Sequence, residues 1–170
     1  MGAVVSNLFV GFDVFDKPDL AFGIAQYVTL EVLVSRIFRF VLNEPGSWAT
    51  DFFVHVISIP FLGGLSAWAA DSDSYESDFG TLLMDGAKGI PAVFAAQYVL
   101  QSFTLGPSLP KFNMRDVMIT SASKAITRPI AGFLYQNVFT EELREQWDDI
   151  DAYVTAQMDR SSIKAEKVEK

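Results

Sequence analysis

The chain has 170 residues, enough for one domain, and its 21 Asp and Glu against 13 Lys and Arg give a formal charge of −8. That balance argues against a nucleic-acid partner, whose phosphates are met by clustered Lys and Arg. With no cysteine, the sequence offers no disulfide, thiolate nucleophile or Cys-ligated metal. Half of the residues are hydrophobic and mean hydropathy is +0.23 although 20% are charged, so charge has been cleared from particular stretches.

Met1-Gly2-Ala3-Val4-Val5-Ser6 fits the N-myristoylation pattern, with Gly2 as acceptor once Met1 is removed and Ser6 as the required small hydroxyl residue. A single myristoyl chain anchors only marginally, so its role would be to pin the N-terminus beside segments that already hold the protein. No Lys or Arg precedes Lys17, so the basic start of a signal or transit peptide is missing.

Asp19 to Asn43 reads as a helix, with Leu30, Leu33, Val34, Ile37, Phe38 and Val41 at helical spacing on one face. Glu31 alone interrupts the uncharged run from Leu20 to Ser35. The segment is therefore expected either to cross a membrane with Glu31 buried or to lie as an amphipathic helix at its surface. Asn43-Glu44-Pro45-Gly46 is a turn signal that ends it.

Phe52 to Ala70 is a run of nineteen residues without a formal charge, and Ile90 to Leu109 is a second run of twenty. Each is long enough to cross the roughly 30 Å hydrocarbon core of a bilayer as a helix. Trp48 and Trp68 stand near the two ends of the first run, where amphipathic rings favour the headgroup level. Pro60 and Gly63-Gly64 predict a kink or a close helix contact. Gly63 with Ala67, and Ala92 with Ala96, are small-residue pairs that let helix backbones approach, and Gln97 and Gln101 lie one turn apart as interhelical hydrogen-bonding groups.

Between the two runs, Asp71 to Lys88 reads as a solvated acidic connector; Tyr75 and Glu76 stand where a calcium loop needs an oxygen ligand and a glycine. From Asn113 the pattern is amphipathic, with Asn113, Asp116, Thr120, Ser123, Lys124 and Thr127 as a polar stripe, and Thr127-Arg128-Pro129 predicts a break or restart. Thr140 caps a final helix whose stripe of Leu143, Trp147, Ile150, Val154 and Met158 needs something to pack on, so these residues are the expected partner-binding face. A charged tail follows.

The expected fold is an all-α integral membrane protein: a two-span helical hairpin (Phe52-Ala70, Ile90-Leu109), two further amphipathic or membrane-embedded helices, and a C-terminal soluble helix. Its parts are a membrane-embedded domain over 1–139, the amphipathic soluble helix over 140–158 and the tail over 159–170. With Arg36, Arg39, Lys111, Arg115, Lys124 and Arg128 flanking the hairpin on one side, the positive-inside rule puts both termini in the cytoplasm.

Chemistry is sparse. The one histidine, His55, sits inside an uncharged run, where a histidine hydrogen-bonded within a helix bundle is the expectation. The sequence has no P-loop, dinucleotide fingerprint or HExxH, and no catalytic, cofactor-binding or metal-ligating set is assigned. The expectation is a non-enzyme with no cofactor and no small-molecule substrate, whose partners are a lipid bilayer and the protein subunits of a large assembly. The alternatives are a small channel or transporter component, with Glu31, His55, Gln97 and Gln101 as a polar path, or an accessory subunit of an organelle membrane complex.

The Met1-Gly2 to Ser6 motif, the internal uncharged runs and the helical C-terminal region together resemble inner-membrane or minor capsid proteins of large icosahedral DNA viruses. That resemblance implies a virion subunit placed between the internal membrane and the shell, tethering one to the other. The cysteines of myristoylated viral entry proteins are absent, so it does not imply an entry or fusion role.

Overall fold

The computed structural model describes residues 18–65, 75–105 and 113–149, together with 152. Gly2, Ala67, Trp68, Ile150, Val154 and the tail lie outside the described residues. The elements are α1 (Pro18–Leu42), α2 (Trp48–Leu65), α3 (Phe79–Lys88), α4 (Ile90–Leu105) and α5 (Met114–Asn137), followed by a helical segment over 141–149.

Helix α1 stops where its sequence says it should. Asn43 takes a positive φ of 51°, a conformation its short polar side chain tolerates, and the Glu44 N–H donates back to the Arg39 carbonyl at 2.9 Å. Pro45 and Gly46 then turn the chain into α2. Helices α1, α2, α4 and α5 form a closed ring in which each packs on the next, and α3 lies along the outside of α5. Two apolar clusters flank the ring. One joins Ile24, Val28 and Val32 of α1 to Ala131 and Tyr135 of α5, with Tyr75 and Trp147; the other joins Val54 of α2 to Val93 and Ala96 of α4.

The described parts of the two uncharged runs do pack against each other, but they do not form membrane spans. Among the described residues, no helix is long and apolar enough to cross a membrane. The physical reasons are length and charge. The described residues of α2 number 18 and those of α4 number 16; at 1.5 Å per residue these described lengths reach about 27 Å and about 24 Å, short of the roughly 30 Å required. Helices α1 and α5 are longer but carry Asp19, Glu31, Arg36 and Arg39, and Arg115, Asp116, Lys124 and Arg128. The expected integral membrane fold and location are therefore overturned; the all-helical architecture remains.

The acidic connector also needs correction. From Phe79 it is α3, opened by Asp78, whose carboxylate accepts the Thr81 N–H at 3.1 Å and the Thr81 hydroxyl at 2.8 Å. Those hydrogen bonds hold the exposed Asp78 carboxyl below its ordinary range. Nor does Pro129 break α5, which runs through it. A proline removes the N–H that the carbonyl four residues earlier would bind, here that of Ala125. It is on this carbonyl that Gly86 of α3 packs: a Cβ at Gly86 would stand 2.9 Å from the Ala125 carbonyl carbon and closer still to its oxygen.

The C-terminal helical segment is not set apart from the rest. Trp147 is buried against Tyr27, Tyr75 and Phe139, and its indole N–H donates to Gln26 Oε1 at 3.1 Å. Leu143 packs on the same cluster. The Tyr135 hydroxyl donates to the Asp148 carboxylate at 2.8 Å; burial and that carboxylate push the phenol up to about 12. The stripe expected to bind an external partner is thus used, in its described part, to close this chain's own core.

The α3–α5 crossing yields a first prediction. Gly86→Ala should lower the unfolding free energy by about 1–3 kcal/mol through overpacking against backbone, although alanine gains roughly 0.5–1 kcal/mol over glycine in an open helix. Urea denaturation measures it, with Gly80→Ala at the exposed start of α3 as the reference. A Gly86→Ala protein more stable than wild type would mean that the helices do not cross there.

Candidate functional site: a buried polar seam

Three helices turn a polar stripe inward. On α1 it is Glu31, Ser35 and Arg39, four residues apart; on α2 it is Asp51, His55 and Ser58; on α5 it is Asp116, Thr120, Ser123, Lys124 and Thr127. Side chains three and four residues apart share a helix face, so each stripe is continuous. Glu31, Ser35, His55, Ser58, Ser123 and Thr127 are wholly removed from solvent.

At the centre stands Glu31. Its Oε1 lies 2.7 Å from Lys124 Nζ and its Oε2 lies 3.1 Å from His55 Nδ1. Neither contact has full hydrogen-bond alignment, so charge rather than direction governs the pairing with Lys124. Lys124 also donates to Ser58 Oγ at 3.3 Å, and Ser58 donates to the His55 carbonyl at 2.7 Å. On the far side of the ring, His55 Nε2 is 3.1 Å from Ser35 Oγ. A carboxylate only accepts, so Nδ1 carries the proton and neutral Nε2 accepts the serine hydroxyl. Burial alone would raise the Glu31 carboxyl, but the charge of Lys124 and the facing imidazole outweigh it and hold it below the ordinary carboxylate range.

A second cluster lies further along the seam, towards the α1–α2 turn. Arg39 grips Asp51 through Nε at 3.1 Å and Nη2 at 2.9 Å, and sends Nη1 to Asp116 at 2.7 Å and to the Pro45 carbonyl at 2.9 Å. Arg36 reaches Asp51 at 3.3 Å and the Gly46 carbonyl at 2.7 Å, with its guanidinium 5.1 Å from the centre of the Trp48 ring. Arg115 pairs with Glu44 at the same corner. For Arg39, burial works against the charged form, but the hydrogen bonds it donates to two carboxylates more than restore it. The hydroxyls of Thr120, Ser123 and Thr127 donate to carbonyls one turn back in their own helix, which satisfies their protons within α5.

Ser35, His55 and Glu31 have the connectivity of a nucleophile, base and orienting acid. Their surroundings suit a different use. Ser35 Oγ faces packed helices, Lys124 takes the other carboxylate oxygen, and none of the three lines either of the two described cavities. A nucleophile must reach a substrate carbon, and this one is enclosed. Among the described residues, no group of His, Asp and Glu is arranged to hold a metal.

The other residues singled out by the sequence fall at different places. Ala92 and Ala96 are fully buried, Ala96 on Val54 of α2. Gln97 Nε2 donates to the Thr120 hydroxyl at 3.3 Å, joining α4 to α5, while Gln101 lines a cavity beside it. Gly63 and Gly64 fall within α2. Sequence reading did not assign Ser35, Asp51, Ser58 or Lys124 to one site; the signal was the four-residue spacing on each helix. No protein-family model matches the chain, and neither curated proteins nor solved structures yield a match.

Removing one partner from a buried pair leaves an uncompensated charge and costs about 3–5 kcal/mol, whereas replacing the pair is often nearly neutral. Lys124→Met should therefore destabilise by that amount, and adding Glu31→Gln should recover most of the loss; additive effects in denaturation would deny the pairing. The pH dependence has a defined sign. The folded Glu31 carboxyl is held below its unfolded value, so its contribution is full above the unfolded value and is lost as pH falls through the folded one. Urea midpoints from about pH 6 down to about pH 3 should fall less steeply for Glu31→Gln than for wild type.

Proposed function

We propose that this chain is a non-enzymatic structural subunit that seats on a bilayer surface and ties it to a larger assembly. The observation that carries the reading is an inverted distribution of side chains. Charges and hydroxyls fill the ring, while Phe40 is 88% and Phe103 85% exposed, alongside exposed Ile37, Val41, Trp48, Phe52 and Phe53. Extended exposed apolar surface marks a contact with lipid or protein.

The α1–α2 corner supports lipid. Phe40, Val41 and Leu42 end α1 and Trp48, Phe52 and Phe53 begin α2, with Arg36 beside Trp48. Amphipathic rings and long cations favour the headgroup boundary, and Trp48, Phe52 and Phe53 also line an apolar groove of about 380 Å³ with Thr29 and Val32. The assembly side has different chemistry: Glu141, Glu142, Glu145 and Asp149 are exposed on the C-terminal helical segment, a surface for a basic protein neighbour. The resemblance of the N-terminal motif makes a virion membrane or minor capsid subunit the concrete setting.

Vesicle flotation tests the bilayer contact. With a net charge of −8, binding should be driven by apolar burial, so the protein should float with phosphatidylcholine vesicles, hold on at high salt, and bind less as phosphatidylserine is added. Phe40→Ser combined with Phe52→Ser and Phe53→Ser, all exposed positions, should abolish flotation with circular dichroism unchanged. A wild-type protein that stays at the bottom of the gradient, or a triple variant that floats equally, would overturn the reading.

A further inference from the structure

We infer that the open cavity between α1, α2, α4 and α5 binds the primary ammonium group of a small amphiphile. Its volume is about 520 Å³, within the range of small-molecule sites, which are mostly apolar with a few convergent polar groups. Phe53 and Leu100 supply apolar wall; Arg39, Asp116, Gln97 and Gln101 supply the polar end.

Hydrogen-bonding capacity decides the ligand. Arg39 uses four of its five N–H donors on Asp51, Asp116 and Pro45. One N–H remains, so an anion finds almost nothing to bind. Asp116 receives Arg39 on Oδ1 and keeps Oδ2 without a partner among the described residues. The Thr120 hydroxyl is already donated to the Asp116 carbonyl, so Gln97 must present its N–H to Thr120, which leaves Gln97 Oε1 as a spare acceptor. Gln101 has no side-chain partner among the described residues and adds another. Three spare acceptors, one of them charged, match the three donors of an ammonium group, with the apolar wall left for its carbon chain.

Isothermal titration of the full chain with hexylammonium chloride should give saturable one-site binding, with hexanol and hexyltrimethylammonium at least about tenfold weaker, because one lacks the charge and the other the donors. Asp116→Asn should weaken binding about tenfold. Gln101→Leu, which touches no ion pair, should weaken it without altering the unfolding midpoint, and Glu141→Gln on the distant segment should not change it. Competition by glycerophosphoethanolamine would assign the ammonium to a lipid headgroup, and its absence would assign a free amine; both support the site. Hexanol binding as tightly as hexylammonium, no saturable binding, or unchanged affinity in both Asp116→Asn and Gln101→Leu would overturn it.

Discussion

A carboxylate held fully out of water must meet positive charge, and the architecture of this protein follows from how Glu31 does so. An isolated buried charge costs several kcal/mol even after relaxation. Lys124 supplies the counter-charge from α5 at 2.7 Å, and His55 supplies a ring proton from α2 at 3.1 Å. The consecutive helices α1 and α2 and the distant α5 are thereby fixed in one rotational setting. A helix that rotated by one residue would swing Glu31, His55 or Lys124 off the axis and strand the others. Apolar packing alone is tolerant of such shifts; a fully enclosed charge cluster is not.

The same requirement explains the unusual outer surface. With the inward faces of α1, α2 and α5 occupied by polar side chains, their large apolar residues are left to the flanks and the exterior. Some find partners within the chain: Val28 and Val32 meet Tyr135 and Trp147, and Val54 meets Val93 and Ala96. Others, such as Ile37 and Phe40, find none and remain outside. The apolar exterior and the buried charges are two sides of one arrangement, which is why the proposed role is contact rather than chemistry.

Much of the local structure was legible in the sequence, and the direction of the helix faces was not. Asn43 to Gly46 announced the end of α1, and the charge-free run from Ile90, with Ala92 and Ala96, announced α4 and its close packing. The polar stripe from Asp116 to Thr127 was visible as a stripe. Periodicity fixes which residues share a face, however, and not whether that face looks in or out. Of the apolar face read for α1, Leu33, Ile37 and Val41 are exposed and Val34 is buried, while Glu31, Ser35 and Arg39 on another face are buried. Helix α3 was hidden because the acidic residues before it suggested solvation, although Asp78 is its cap. Charge-free length suggested membrane spans, but among the described residues no helix is long and apolar enough to cross, and the longer helices carry the seam's charges. Trp147 was recognised as needing a partner; that partner, Gln26 and Tyr27, lies about 120 residues earlier in the chain, beyond the reach of any local pattern.

The central claim is that His55 is locked between a carboxylate and a serine hydroxyl in the middle of the ring. Because it is the single histidine in the chain, nitrogen-15 NMR of the imidazole reads that lock directly. The account predicts one tautomer at neutral pH, with the proton on Nδ1, Nε2 shifted as a hydrogen-bond acceptor, and the Nδ1 proton protected from exchange with water. A ring that averages between tautomers and exchanges its proton freely would place His55 in solvent, and the charge-centred bundle would be wrong.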